Sequence, residues 1–149
     1  MNAPSFRARR ATLDDLPVLR PLWSAGQLDA LHLEKRLTDF QVAETTEGQL
    51  VAAIGLQVDG THGLIHSECF LDAAQIDTLR PLFWERLLTV AHNRGLTRLW
   101  TLERIPFWHE HGFRKIEAEI KRKFPPAFGD PDVEWLTRSE EHTSELQSH

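Results

Sequence analysis

Tyrosine is absent from the 149 residues, and cysteine and methionine occur once each, as Cys69 and Met1. A lone thiol excludes an internal disulfide framework. Without tyrosine, no phenol is available as a proton donor. No run is long and apolar enough for a transmembrane helix and nothing has the form of a secretory leader, so a cytoplasmic protein with no membrane partner is expected. Basic residues cluster no further than "RARR" (Arg7 to Arg10) and "KRK" (Lys121 to Lys123), and the formal net charge is −5. That balance argues against a nucleic-acid partner, and both runs read as strand segments with one face in water. Glycine is missing from "FLDAAQIDTLRPLFWERLL" (Phe70 to Leu88), where the pattern predicts that a strand gives way to a helix.

What is present is ordinary for a globular chain, with 41% hydrophobic and 26% charged residues. Residues 1–137 are expected to form one domain with its own core. The last twelve residues, "RSEEHTSELQSH" (Arg138 to His149), read like a translated sequencing adapter. They are set aside as a non-native, disordered tail.

"FRARRAT" (Phe6 to Thr12) suits a first strand, and Thr12 with Asp15 forms a near capping box for the helix that follows. Leu28, Leu31, Leu33 and Leu37 stand near helical spacing and predict a second amphipathic helix. From Asp39 to Leu71 three apolar stretches are separated by "TTEG" and "DGTHG", the pattern of a three-stranded antiparallel meander. Asp77 to Arg94 is helical, with Leu79, Leu82, Phe83, Leu87, Val90 and Ala91 on its apolar face and Gly95 as its stop. A short strand (Thr97 to Leu102) and a short helix (Pro106 to Phe113) follow. Lys115 to Phe124 alternates apolar and charged residues, which predicts another strand, and "VEWLT" (Val133 to Thr137) begins a last one that the tail truncates. The fold class implied is α+β (mixed α/β), a central, mostly antiparallel sheet flanked by helices.

Four segments carry a family resemblance: "RRATLDDLPVL" (Arg9 to Leu19), "FQVAETTEGQLVAAIGLQ" (Phe40 to Gln57), "GLTRLWTL" (Gly95 to Leu102) and "FWHEHGF" (Phe107 to Phe113). In this order the chain resembles the GCN5-related N-acetyltransferase (GNAT) superfamily, especially small bacterial members similar to N-acetylglutamate synthase. The resemblance implies acetyl-CoA as cosubstrate, held where the fourth and fifth strands splay, and a small-molecule amine as acceptor. It implies no metal. Cofactor contacts would come from Cys69, Phe70 and Leu71 on the fourth strand, from Gln75, Thr78, Leu79 and Arg80 in the diphosphate loop, and from Phe107. The family's loop pattern carries glycines so that the backbone approaches the diphosphate closely at a helix N-terminus. Here Gln75 keeps the first position while Thr78 and Arg80 replace the glycines, and Asp72 and Asp77 add negative charge nearby. Trp108 stands where many members carry a tyrosine acid, and an indole cannot deliver a proton at useful pH.

Acyl transfer to an amine requires removal of an ammonium proton. His66 and Glu68, two apart on the fourth strand, share one face of a regular strand, and Glu68 is the preferred base. The plainer role for this pair is to hydrogen-bond across the sheet or to face solvent. Glu103 and Arg104 end the fifth strand, where Arg104 would either clamp a substrate carboxylate or form a surface ion pair. Cys69 reads as core packing. His109 and His111 point to different faces of a helix, which argues against zinc ligation by the pair. The tryptophans, Trp23, Trp84, Trp100, Trp108 and Trp135, read as core. Oligomeric state is open, a homodimer being one way to cover an exposed sheet edge.

Overall fold

The structure is a computed structural model and describes residues 5–141. Among the described residues seven strands, β1 (Phe6–Arg10), β2 (Phe40–Thr45), β3 (Leu50–Asp59), β4 (His62–Phe70), β5 (Arg98–Thr101), β6 (Arg114–Lys115) and β7 (Leu136–Ser139), follow the order β1-β2-β3-β4-β5-β7-β6, with β4 and β5 parallel. Chain contacts divide the described residues into two compact units, residues 5–56 with 67–90 and residues 57–66 with 91–141.

In the first unit, β1 (Phe6–Arg10) pairs antiparallel with β2 (Phe40–Thr45), which pairs antiparallel with the start of β3 (Leu50–Asp59). The turn after β1 forms as the capping signal predicts, the Thr12 N–H donating to Asp15 Oδ2 at 2.7 Å. Helix α1 (Leu16–Ala25) buries Leu16, Leu19, Leu22 and Trp23, residues three to four apart that make one apolar stripe. Trp23 packs on Phe40 at 5.0 Å between ring centroids.

The predicted second helix is shorter than its leucine spacing suggests. Only Ala30–Glu34 (α2) is helical, a 3-10 turn covers Leu37–Asp39, and Leu31 is 78% exposed. Leu33 is buried, while Leu28 and Leu37 pack against its cluster from the flanking chain. Asp29 caps α2 by accepting from the His32 N–H, which starts the helix after Leu28.

Helix α3 (Ile76–Asn93) buries Leu79, Phe83, Trp84, Leu87 and Ala91, and leaves Leu82 and Val90 half-buried. It ends as predicted at Gly95, whose φ of +66° suits glycine and lets the Leu96 N–H reach the Ala91 carbonyl at 2.9 Å.

The second unit holds the beginning of β4 (His62–Phe70), whose His62 to Ile65 pair with Arg98 to Thr101 of β5 (Arg98–Thr101). Helix α4 (Pro106–Glu110) follows. The predicted strand from Lys115 to Phe124 does not form. β6 is Arg114–Lys115 alone, and α5 (Ala118–Lys121) replaces the rest, so "KRK" lies at a helix end rather than on a strand. The cause is an ambiguity of period, because Ile116 and Ile120 are also one helical turn apart. Both pack on the cluster of Trp100, Phe124, Phe128 and Trp135.

Strand β7 (Leu136–Ser139) pairs with both β5 and β6, so it runs two residues past the boundary placed at Thr137. Arg138 donates to the His111 carbonyl at 3.1 Å, and the Glu140 N–H to the Thr97 carbonyl at 2.7 Å. The remainder of the expected tail, residues 142–149, lies outside the described residues. No helix among the described residues is long and apolar enough to cross a membrane.

Candidate functional site

Glu68, Cys69 and Phe70 close β4, and Leu71, expected on the strand, lies just past its end at the junction with α3. Two residues before Cys69, Ser67 adopts φ +55° inside the strand. For a residue other than glycine this left-handed geometry costs about 1–2 kcal/mol. It interrupts the regular alternation that would set His66 and Glu68 on one face. His66, half-buried, belongs to the second unit and Glu68 to the first.

Glu68 is joined to Arg80, another of the predicted site residues. The Arg80 Nε–H donates to both carboxylate oxygens at 3.1 Å, and Nη2 donates to Oε1 at 2.7 Å. The side chains are 7% and 18% exposed, so the pair is largely shielded from water. The guanidinium carbon lies 5.4 Å from the centre of the Phe70 ring, within cation–π range, and Phe70 is backed by Phe83 at 6.3 Å.

The glycine-free junction is organised by Asp72. Its Oδ1 accepts from the Ala74 N–H at 2.9 Å, and its carbonyl accepts from the Gln75 N–H at 3.0 Å. A 3-10 turn (Ala73–Gln75) results, and the Ile76 N–H reaches the Ala73 carbonyl. A carboxylate of the chain itself thus caps the turn. Gln75, Thr78 and Leu79 all lie on this turn or the first turn of α3, with Leu79 fully buried. Pro81 sits inside α3, and its missing N–H removes one bond from the opening of the helix.

Cys69 is buried, and burial pushes its thiol up to about 12. It is a packing residue, with no thiolate at neutral pH. Beside Phe70 and Leu71 opens an apolar cavity of about 330 Å³, completed by Val18, Pro21, Leu22, Ala25 and Leu50. Neither this cavity nor the Asp72 cap is anticipated above. The exposed Val18 and Leu71, at 46% and 59%, mark the cavity rim only once the fold is known.

The remaining predicted residues belong to the second unit. Arg104 is half-exposed and ion-paired with Glu134 at 2.6 Å, also donating to the Glu134 carbonyl at 2.8 Å. The Glu103 N–H donates to Thr101 Oγ1 at 3.1 Å. Phe107 stacks on His111 with ring centroids 4.0 Å apart. Trp108 is fully buried, so it is core. Among the described residues no group of three or more His, Cys, Asp or Glu side chains is arranged to hold a metal ion.

No family model matches the chain, and no curated protein matches it by sequence. Solved structures do match. N-acetylglutamate synthase from Neisseria gonorrhoeae, complexed with coenzyme A and L-arginine, aligns with a TM-score of 0.72 at 19% identity over 90% of this chain and 33% of that one. This chain therefore spans about a third of the synthase's length. Rv2747 from Mycobacterium tuberculosis, in complex with CoA and NLQ, aligns with a TM-score of 0.72 at 21% identity over 90% of this chain and 99% of that one. A GNAT-family acetyltransferase from Staphylococcus aureus gives a TM-score of 0.68 at 15% identity over 92% of this chain and 100% of that one. The fold, an open seven-stranded and mostly antiparallel sheet with helices, is that of the GNAT acyl-CoA N-acyltransferases.

Proposed function

We propose that this protein is an N-acetyltransferase that moves an acetyl group from acetyl-CoA to the primary amine of a small molecule such as an amino acid. The observation that carries this reading is a shielded carboxylate, Glu68, on the strand that runs into α3 in a GNAT fold. In this reading Gln75, Thr78 and Arg80 hold the diphosphate, Leu79 serves as core beneath them rather than as the expected contact, and the donor supplies an acyl group activated as a thioester. Glu68 takes a proton from the acceptor's ammonium, freeing the lone pair that attacks the acyl carbonyl. With no tyrosine in the chain and Trp108 buried, the leaving thiolate takes its proton from water. The apolar cavity next to Leu71 suits the carbon skeleton of a small acceptor.

A second reading, a GNAT-fold module that binds a ligand or mediates assembly without catalysis, is favoured by the Asp72 cap and the Glu68–Arg80 pair, which satisfy the junction internally. One titration separates the two. Acetyl-CoA at 100 times its dissociation constant adds about 2.7 kcal/mol of stability, a rise in Tm of roughly 5–10 °C. Mass spectrometry against a panel of amino acids then detects the N-acetyl product. Binding with turnover supports the enzyme, and Glu68→Gln should then lower kcat by about 10²–10⁴. A flat melting profile with no product leaves the module reading.

A further inference from the structure

Between Glu68 and Arg80 the chain carries three carboxylates, Glu68, Asp72 and Asp77, and one cation, Arg80. Asp72 is committed to the Ala74 N–H, and Arg80 is committed to Glu68 through three donor–acceptor contacts of 2.7–3.1 Å. A diphosphate arriving at this junction meets a segment that is net negative, whose one positive group is already neutralised by an internal carboxylate.

We infer that Arg80 is a latch on Glu68: the guanidinium holds the carboxylate in the resting protein, and a diphosphate-bearing ligand competes for the guanidinium and so frees the carboxylate. This rests on the acyl-transfer reading above for the identity of the ligand, though not for the competition itself. The parts are arranged for exchange between two acceptors. Glu68 takes the guanidinium edge formed by Nε and Nη2, the edge that also matches two phosphate oxygens. Phe70, backed by Phe83, supports the guanidinium face, so the arginine has a platform that does not depend on Glu68. Arg80 lies in the second turn of α3, so its side chain links the start of the helix to the end of β4. Once released, Glu68 accepts a proton from an ammonium, becoming a neutral acid while the amine gains its lone pair. Arg80 is therefore a positioning residue, and acceptor deprotonation awaits the donor.

The test reads affinity for inorganic pyrophosphate, which needs no turnover. A binding site that is open only a tenth of the time shows a dissociation constant about tenfold weaker than its intrinsic value. Glu68→Gln, which removes the competing charge, is expected to tighten pyrophosphate binding about tenfold. Glu68→Asp, which keeps the charge but shortens its reach, should tighten binding by less and guards against misfolding of the first variant. Arg80→Gln should weaken binding, and in that background the Glu68→Gln effect should vanish. In the wild type, pyrophosphate should also shift the NMR signals of Arg80 Nε–H and Glu68 Cδ together. Weaker binding in Glu68→Gln, meaning that the carboxylate orients Arg80 toward the anion, would overturn the latch. So would unchanged binding, or no pyrophosphate binding at millimolar concentration in any variant. A protein that passes these tests yet makes no product from acetyl-CoA keeps the latch and loses the acyl-transfer reading.

Discussion

Cys69 follows Glu68 directly, and the two neighbours have opposite fates. The thiol is sealed in the core, where transfer of its charge from water is opposed and its proton is retained up to about 12. The carboxylate reaches an arginine instead and is held as an ion pair. Iodoacetamide at neutral pH should therefore leave the native protein unmodified, while denaturation exposes one reactive thiol, measured by the mass gain. Labelling of the native form at a free-thiol rate would contradict that burial. Reading the sequence picks out Glu68 and Arg80 separately, because each is a charged residue at a telling position. That they form one pair is not readable from sequence, since it depends on a left-handed Ser67 in the strand and on where α3 begins.

At the scale of the element, the glycine-free strand-to-helix junction is held by the Asp72 cap. Removing the cap by Asp72→Ala should cost about 1 kcal/mol, visible as a lower urea midpoint. Asp72→Asn keeps an acceptor for the Ala74 N–H and should cost less than half of that. If both variants lose the same stability, the cap is not what holds this turn. Long elements with one clear period, α1, α3 and the three meander strands, are legible in the residues. Short ones are not. Ile116 and Ile120 satisfy strand and helix spacing equally, and packing of both on Trp100 and its neighbours decides for a helical turn. The leucines at 28, 31, 33 and 37 fail for a related reason, as Asp29 starts the helix late and a 3-10 turn ends the segment.

At the scale of the molecule, the first unit is tied together by Arg9, which donates to Asp15 at 2.8 and 2.9 Å and to Glu44 at 2.8 Å. Both carboxylates are buried, and hydrogen bonding to Arg9 holds each below its ordinary range. Because the folded values lie below the unfolded ones, this stabilisation is complete above the ordinary carboxylate values of 3.8 and 4.5. It is lost as pH falls through the lowered folded values. Arg9→Gln should cost about 2 kcal/mol at pH 7 and flatten the acid limb of a stability–pH profile. An unchanged acid limb would assign acid sensitivity to other groups.

The burial of every tryptophan in a chain without tyrosine makes the protein its own optical probe. All near-ultraviolet emission comes from indoles held away from water, so the native spectrum should be blue-shifted and unfolding should move it to the red. Trp23 and Trp84 report on the first unit, and Trp100, Trp108 and Trp135 on the second. Replacing one set by phenylalanine leaves a reporter in the other. Matching denaturation midpoints for the two variants, corrected for the stability each substitution removes, would mean a single cooperative transition. Two separate midpoints would mean that one unit can melt while the other still glows blue.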